Sequence, residues 1–254
     1  MTPDMDPTHV RDDKSRQPHV VLDAPSRVLK AKKIIEIVGA ERFARARRIL
    51  EIGCGSGVIA HTLAELGGPG LEVFAVDVAD NRLVHDKVLA YHGVDFSPDF
   101  IEVARRKAAA AGIANGTFHC EDIIDFAKAH PGRFGVATAL DFSEHIGDED
   151  FIAIFTAVRD AMVPGGRLYI HTPNLTFLPE LAKQWGIIPK FPQHIAVRDA
   201  AHHVRLLERC GFSSGGIRTE QLAHYNVMRF LHPLRRLPVV GKYFAARLFI
   251  ECRK

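Results

Sequence analysis

Cysteine is scarce and scattered in this chain of 254 residues. Cys54, Cys120, Cys210 and Cys252 form no C-x-x-C pair, which excludes a thiolate zinc site and a disulfide framework. A reducing cytoplasm is the expected compartment. Long apolar runs are also lacking: none approaches the roughly 20 residues that a bilayer-spanning helix needs, and polar, proline-bearing Met1–Pro18 has no signal-peptide pattern. Charge of one sign is not in excess either, since 33 Lys and Arg against 30 Asp and Glu leave only +3, too little to point to nucleic acid. What remains is a globular composition, 47% hydrophobic and 25% charged, sufficient for one sizeable core. Residues 1–24 carry few large apolar side chains and are expected to be a disordered tail before a single domain over 25–254.

The most informative segment is Arg48-Ile-Leu-Glu-Ile-Gly-Cys-Gly-Ser-Gly57, an apolar strand running into a glycine turn. Gly53, Gly55 and Gly57 permit positive φ and carry no Cβ to hold a ligand off the backbone, while Val58 onward begins a helix whose N-terminus faces the same crevice. A dinucleotide fingerprint, G-x-G-x-x-G, needs glycine where Val58 stands, which argues against nicotinamide binding.

The pattern E-x-G-x-G-x-G resembles motif I of the class I S-adenosylmethionine-dependent methyltransferases. The resemblance implies a Rossmann-like, doubly wound α/β fold with a mostly parallel seven-stranded sheet. It implies S-adenosylmethionine as cofactor, on Gly53, Cys54, Gly55 and Gly57, with Glu51 near its amino group. Alternating apolar strands and helical patterns from Ile49 onward agree with α/β wiring. Strands are expected at 116–120, 134–140, 167–172, 212–218 and 244–252, and helices near 150–162 and 198–210. An extra helical segment is expected at 27–48, and an insertion or additional strand at 68–90.

A carboxylate after the second strand should accept from both ribose hydroxyls, and two compete. Asp77 has the expected separation of 20 positions from Gly57. Asp95 leads into a helix with Ser97 as N-cap, Pro98 at the first helical position and Gly112 at the end, and its surroundings resemble the family's second motif over a longer run, with Phe96 placed to pack on adenine. Asp95 is the preferred reading. By resemblance, Asp122 accepts from the adenine amino group and Ile123 offers a backbone amide.

Ala139-Leu-Asp-Phe-Ser-Glu-His-Ile ends the fourth strand, where the family places residues between cofactor and acceptor. Asp141 is assigned to the cofactor side, and Glu144 and His145 to catalysis, with His145 either the base for a hydroxyl nucleophile or a helix-start histidine with structural hydrogen bonds. The Glu-His pair with Pro164-Gly-Gly resembles the small-molecule and quinone O-methyltransferase branch. Residues 181–194, with Trp185, Phe191, Pro192 and His194, are either a lid over an apolar acceptor or ordinary packing. Glu144, His145 and either His171 or His194 have metal-ligating side chains, but the sequence fixes no distance among them and no metal is expected.

The C-terminal segment 224–254 is basic and apolar together: Arg229, Arg235, Arg236, Lys242, Arg247, Arg253 and Lys254 face only Glu251. It is either a sheet-completing element with solvated arginines or a surface for an anionic membrane or lipid-like acceptor. The leading function is methyl transfer to an oxygen of a small or lipid-linked molecule. A non-catalytic cofactor-binding protein and a nicotinamide-dependent oxidoreductase are the alternatives.

Overall fold

The computed structural model describes residues 33–34, 36–39, 42, 48–52, 71–76, 89–95, 116–192, 194–225 and 227–254. The expected tail, the glycine turn with Cys54, and Asp77, Phe96 and the helix after Ser97 lie outside them. The chain divides into two compact units, Met1–Phe126 and Ala127–Lys254.

In the first unit, β1 (Arg48–Ile52), β2 (Leu71–Val76), β3 (Leu89–Asp95) and β4 (Gly116–Cys120) are parallel, and each pairs with the next. Ile49, Leu50 and Ile52 are buried, as an apolar run in a sheet covered on both faces requires. The described residues 33–34, 36–38 and 42 of the expected N-terminal segment are helical. The segment between Leu66 and Pro98 contributes two strands, β2 and β3, in keeping with an additional strand there. β2 lies between β1 and β3, with Ile52 level with Val76 and Val76 level with Val94. Helix α1 (Ile123–Ala129) carries the chain into the second unit.

The second unit is built on β5 (Phe134–Leu140), β6 (Met162–Pro173), β7 (Ile217–Leu222) and β8 (Arg247–Arg253). β5 and β6 are parallel, whereas β8 is antiparallel to both β6 and β7. Helix α2 (Asp148–Ala161) buries Phe151, Ile154, Phe155, Val158 and Ala161, a stripe at helical spacing, and begins with Asp148, Glu149 and Asp150, which suit the positive end of the helix dipole. Helices α3 (Leu178–Gln184) and α4 (Ala200–Arg209) follow; the Asp199 carboxylate caps α4 by accepting from the His202 amide at 2.7 Å.

β6 starts earlier than expected, because Pro164-Gly165-Gly166 folds into the strand as an irregularity. Gly165 has φ +77°, and a Cβ on Gly166 would lie 2.9 Å from the Val163 carbonyl oxygen, so neither position accepts a side chain without strain. β7 lies at 217–222 rather than 212–218: Phe212 is buried in the turn after α4, and the strand is a mostly exposed, polar stretch with little apolar signal. Among the described residues of the C-terminal segment, 247–253 join the sheet. Val227–Arg236 and Gly241–Phe244 form 3-10 turns, with Pro233 and Pro238 interrupting any regular strand.

Candidate active site

β5 and β6 run parallel with Leu140 level with His171, so the residues after Leu140 and the end of β6 emerge together at the carboxyl edge of the pair. The backbone turns at Asp141, whose φ of +52° is left-handed, an uncommon conformation for a residue with a Cβ and one that aspartate tolerates better than most. The Asp141 amide donates to the His171 carbonyl at 2.7 Å, and its Oδ1 lies 2.8 Å from His171 Nδ1 and 3.3 Å from Arg247 Nη1. His171 is buried, and its Nε2 is 3.0 Å from the Tyr225 hydroxyl. A consistent proton arrangement follows: Nδ1–H donates to the carboxylate, and Nε2 accepts from the phenol. Burial and the Asp141 charge raise the Tyr225 pKa and keep it protonated.

A 3-10 turn over Ser143–His145 comes next. Glu144 is buried with 1% exposure, and Thr172 Oγ1 donates to its Oε2 at 3.1 Å. Desolvation, with the Asp141 charge added, pushes its carboxyl up to about 8. The His145 and His194 rings meet edge to face, centroids 5.1 Å apart, and the ligand atoms of Glu144, His145 and His194 all lie within 4.8 Å of one another. Burial lowers the His194 pKa, and its Nδ1 is enclosed without a hydrogen-bond partner.

Arg198 fixes this turn and was not singled out from the sequence. Its side chain is fully enclosed. Nη1 donates to the Ser143 carbonyl at 2.6 Å and the Ala196 carbonyl at 3.1 Å, Nη2 to the Ile146 carbonyl at 2.8 Å, and Nε to Asp148 Oδ1 at 2.8 Å, while the guanidinium lies over the Phe151 ring. A planar fork of donors matches that set and a lysine does not. In Val197-Arg-Asp199 the residue reads as an ordinary charge before a helix, and only the folded turn reveals its partners.

His203 supports the same turn from α4. Its Nδ1 donates to the Asp199 carbonyl at 2.9 Å and its Nε2 faces Ser143 Oγ at 3.4 Å. Burial, with Arg198 and His202 nearby, lowers its pKa to about 4. As pH falls, the unfolded chain takes up this proton first, so the stabilisation is complete above about pH 7 and is lost as pH drops from about 6.5 towards 4, with nothing further lost below. Urea denaturation at pH 7 and pH 4.5 should show a His203→Gln variant losing about 2 kcal/mol less than the parent on acidification. Equal losses would remove His203 as the cause.

Among the assigned site residues, the second unit gathers Asp141, Glu144 and His145 at one strand edge, with His171, Thr172, Tyr225, Arg247 and His194 added by the fold. In the first unit, Glu51 lies in β1 and Asp95 is the last residue of β3. Asp122 precedes α1, its Oδ1 accepting from the Ile124 amide at 2.7 Å, and Ile123 is buried at the helix start.

A model of a methyltransferase domain matches residues 23–214, most of the chain. The chain belongs to the methyltransferase domain family. This methyltransferase domain is 28% identical over 156 residues to a ubiquinone biosynthesis O-methyltransferase of Xanthomonas euvesicatoria, an alignment covering 61% of this chain and 55% of that protein. A ubiquinone biosynthesis O-methyltransferase of Neisseria meningitidis is 28% identical over 130 residues, covering 51% and 45%. The chain thus spans about half the length of the curated relatives it matches. In solved structures, the methyltransferase domain resembles a SAM-dependent methyltransferase from Archaeoglobus fulgidus, with TM-score 0.59, 19% identity and coverage of 98% and 100%. It also resembles the magnesium protoporphyrin IX methyltransferase of Synechocystis with bound SAH, with TM-score 0.58, 18% identity and the same coverage. These likenesses support the Rossmann-like fold.

Proposed function

We propose that this chain transfers the methyl group of S-adenosylmethionine to an oxygen of a small or lipid-linked molecule. The observation that carries the reading is the Glu144–His145 turn at the carboxyl edge of β5 and β6, in a chain that belongs to a methyltransferase family. The sulfonium already activates its methyl group, so the protein's tasks are to align the two reactants and to let the acceptor hydroxyl lose its proton. Glu144 and His145 serve the acceptor side.

On the cofactor side, Gly53, Cys54, Gly55 and Gly57 lie under the nucleoside and Glu51 near the methionine amino group. Asp122 Oδ1 already accepts from a backbone amide, so Oδ2 is the atom assigned to the adenine amino group, with the Ile123 amide beside it. For the ribose, β2 rather than β3 neighbours β1, and one strand spacing is about 4.8 Å. That order supports Asp77, which follows β2, over Asp95, which stands a further strand away. Phe96 is assigned to adenine and Asp141 to the cofactor side, as the resemblance implies.

The acceptor's lipid character is supported by two apolar surfaces in the second unit. Trp185 and Phe191, both exposed, follow α3, and Val227 and Phe230 in the 3-10 segment and Leu237 and Val239 just after it are exposed too, Val239 at 88%. Arg229, Arg235, Arg236 and Lys242 accompany the second surface without an acid between Val227 and Phe244. Such a surface suits an anionic bilayer or an amphiphilic acceptor. Co-sedimentation with anionic vesicles but not zwitterionic ones checks the membrane part. Among the described residues, no helix is long and apolar enough to cross a membrane.

The test begins with equilibrium binding of S-adenosylhomocysteine and continues with transfer of labelled methyl from S-adenosylmethionine into a cell extract. Label in the organic phase identifies a lipid-linked acceptor, and label in the aqueous phase a small polar one. Binding without transfer to any fraction favours the non-catalytic alternative.

A further inference from the structure

We propose that Arg247 holds a carboxylate carried by the methyl acceptor, which makes that acceptor a hydroxy acid. Resting on the methyl-transfer reading, this gives the anionic end of the acceptor to one side chain and leaves its hydroxyl to the Glu144–His145 turn.

Arg247 opens β8, and its register partners are Pro173 at the end of β6 and Leu222 at the end of β7. It therefore stands at the same strand edge as Asp141, Glu144 and His171. Its side chain is 18% exposed. Among the described residues it makes one hydrogen bond, from Nη1 to Asp141 Oδ1 at 3.3 Å, which is long for a charged pair. That oxygen already lies 2.8 Å from His171 Nδ1. Nε and Nη2 of Arg247 are neither hydrogen-bonded nor enclosed.

Arg198 shows the contrast within the same unit. All three of its nitrogens donate, to four acceptors, and its side chain is 1% exposed. The Arg247 fork is also largely withdrawn from water, yet one whole edge is left over. A cation with reduced hydration and unused donors favours an anion that can meet both donors at once.

The surroundings select the kind of anion. The Arg247 charge acts on Glu144, His194, His224 and Tyr225. Burial pushes the Glu144 carboxyl up to about 8, lowers both histidines and raises the tyrosine, so near pH 7 these groups are mostly neutral. The other cation that acts on the two histidines is Lys183, and Glu180 holds it at 2.6 Å. Asp141 belongs to the cofactor side on the methyl-transfer reading, where a sulfonium offsets its charge. One guanidinium edge without a second free cation suits a planar monoanion bound through two oxygens, a carboxylate rather than a phosphate dianion.

The experiment titrates benzoate, benzamide and phenyl phosphate into the full chain at pH 7.5, with and without S-adenosylhomocysteine, by ligand-observed NMR. Benzoate should bind at least about 30-fold more tightly than benzamide, and phenyl phosphate no more tightly than benzoate. Arg247→Gln should bring benzoate down to the level of benzamide, and Arg247→Lys, which keeps the charge but not the fork, should recover only part. Retained binding of S-adenosylhomocysteine by each variant certifies its fold. As a second measurement, the product labelled by methyl transfer into a cell extract should be held by an anion exchanger, released on acidification, and carry its methyl as an ether. A parent that binds no S-adenosylhomocysteine or transfers no label counts against the methyl-transfer reading, while the benzoate titration still decides the anion site. Equal binding of benzoate and benzamide, equal binding of benzoate by the parent and Arg247→Gln, tighter binding of phenyl phosphate, or a labelled product that is neutral or a methyl ester overturns the assignment.

Discussion

Replacing Arg198 with alanine should cost about 3–5 kcal/mol of stability, the range for removing one partner of a buried charged network. Three carbonyl oxygens, those of Ser143, Ile146 and Ala196, lose their donor at once, and the space over the Phe151 ring is vacated. Asp148 is 43% exposed and retains His202 at 2.8 Å, so solvent offsets most of its loss, and the destabilisation comes mainly from the carbonyls and the cavity. For a chain of this size the melting temperature should fall by roughly 10 °C. Arg198→Lys should recover little, because a single ammonium cannot reach carbonyls on both sides of the turn. Differential scanning calorimetry decides the matter. A loss below about 1 kcal/mol would mean that the turn is held by other contacts.

Replacing His145 with alanine should lower turnover about 100-fold or more while leaving S-adenosylhomocysteine affinity within about threefold of the parent. The imidazole stands on the 3-10 turn after β5, against His194 and next to the buried Glu144 carboxyl, so its loss removes a group from the acceptor side. The effect falls on turnover because the assigned cofactor contacts lie on other residues. Activity assays and nucleoside titrations on the same preparation separate the two quantities. Unchanged turnover would remove His145 from the mechanism.

Much of the second unit was legible from the residues. β5 occupies the expected 134–140, an apolar run between Gly132 and Asp141, and in the first unit β4 occupies the expected 116–120, opened by Gly116 and closed by Glu121. Helices α2 and α4, expected at 150–162 and 198–210, lie within two residues of those bounds. β7 was misplaced because burial of Phe212 in a turn mimics a strand signal, and the polar run Arg218-Thr-Glu-Gln hides one. An extra strand between Leu66 and Pro98 was anticipated; what the sequence could not give was strand order, the observation on which the proposal of Asp77 over Asp95 rests.

The site divides in the same way. Glu144 and His145 were readable because they adjoin a strand end. Thr172, Tyr225, Arg247 and Arg198 were not, since each reaches the turn from a distant segment through contacts that no local pattern encodes. The Glu144, His145 and His194 grouping shows the limit most clearly. All three were recognised as metal-ligating types, but no metal was expected because proximity is a property of the fold.

Titration calorimetry of the folded chain with S-adenosylhomocysteine tests the central claim most directly. One nucleoside should bind per chain, with affinity strongly reduced by Gly55→Val, which would put a branched side chain into the proposed cofactor floor. Absence of any heat of binding by well-folded protein, or stabilisation by nicotinamide cofactors instead, would contradict it.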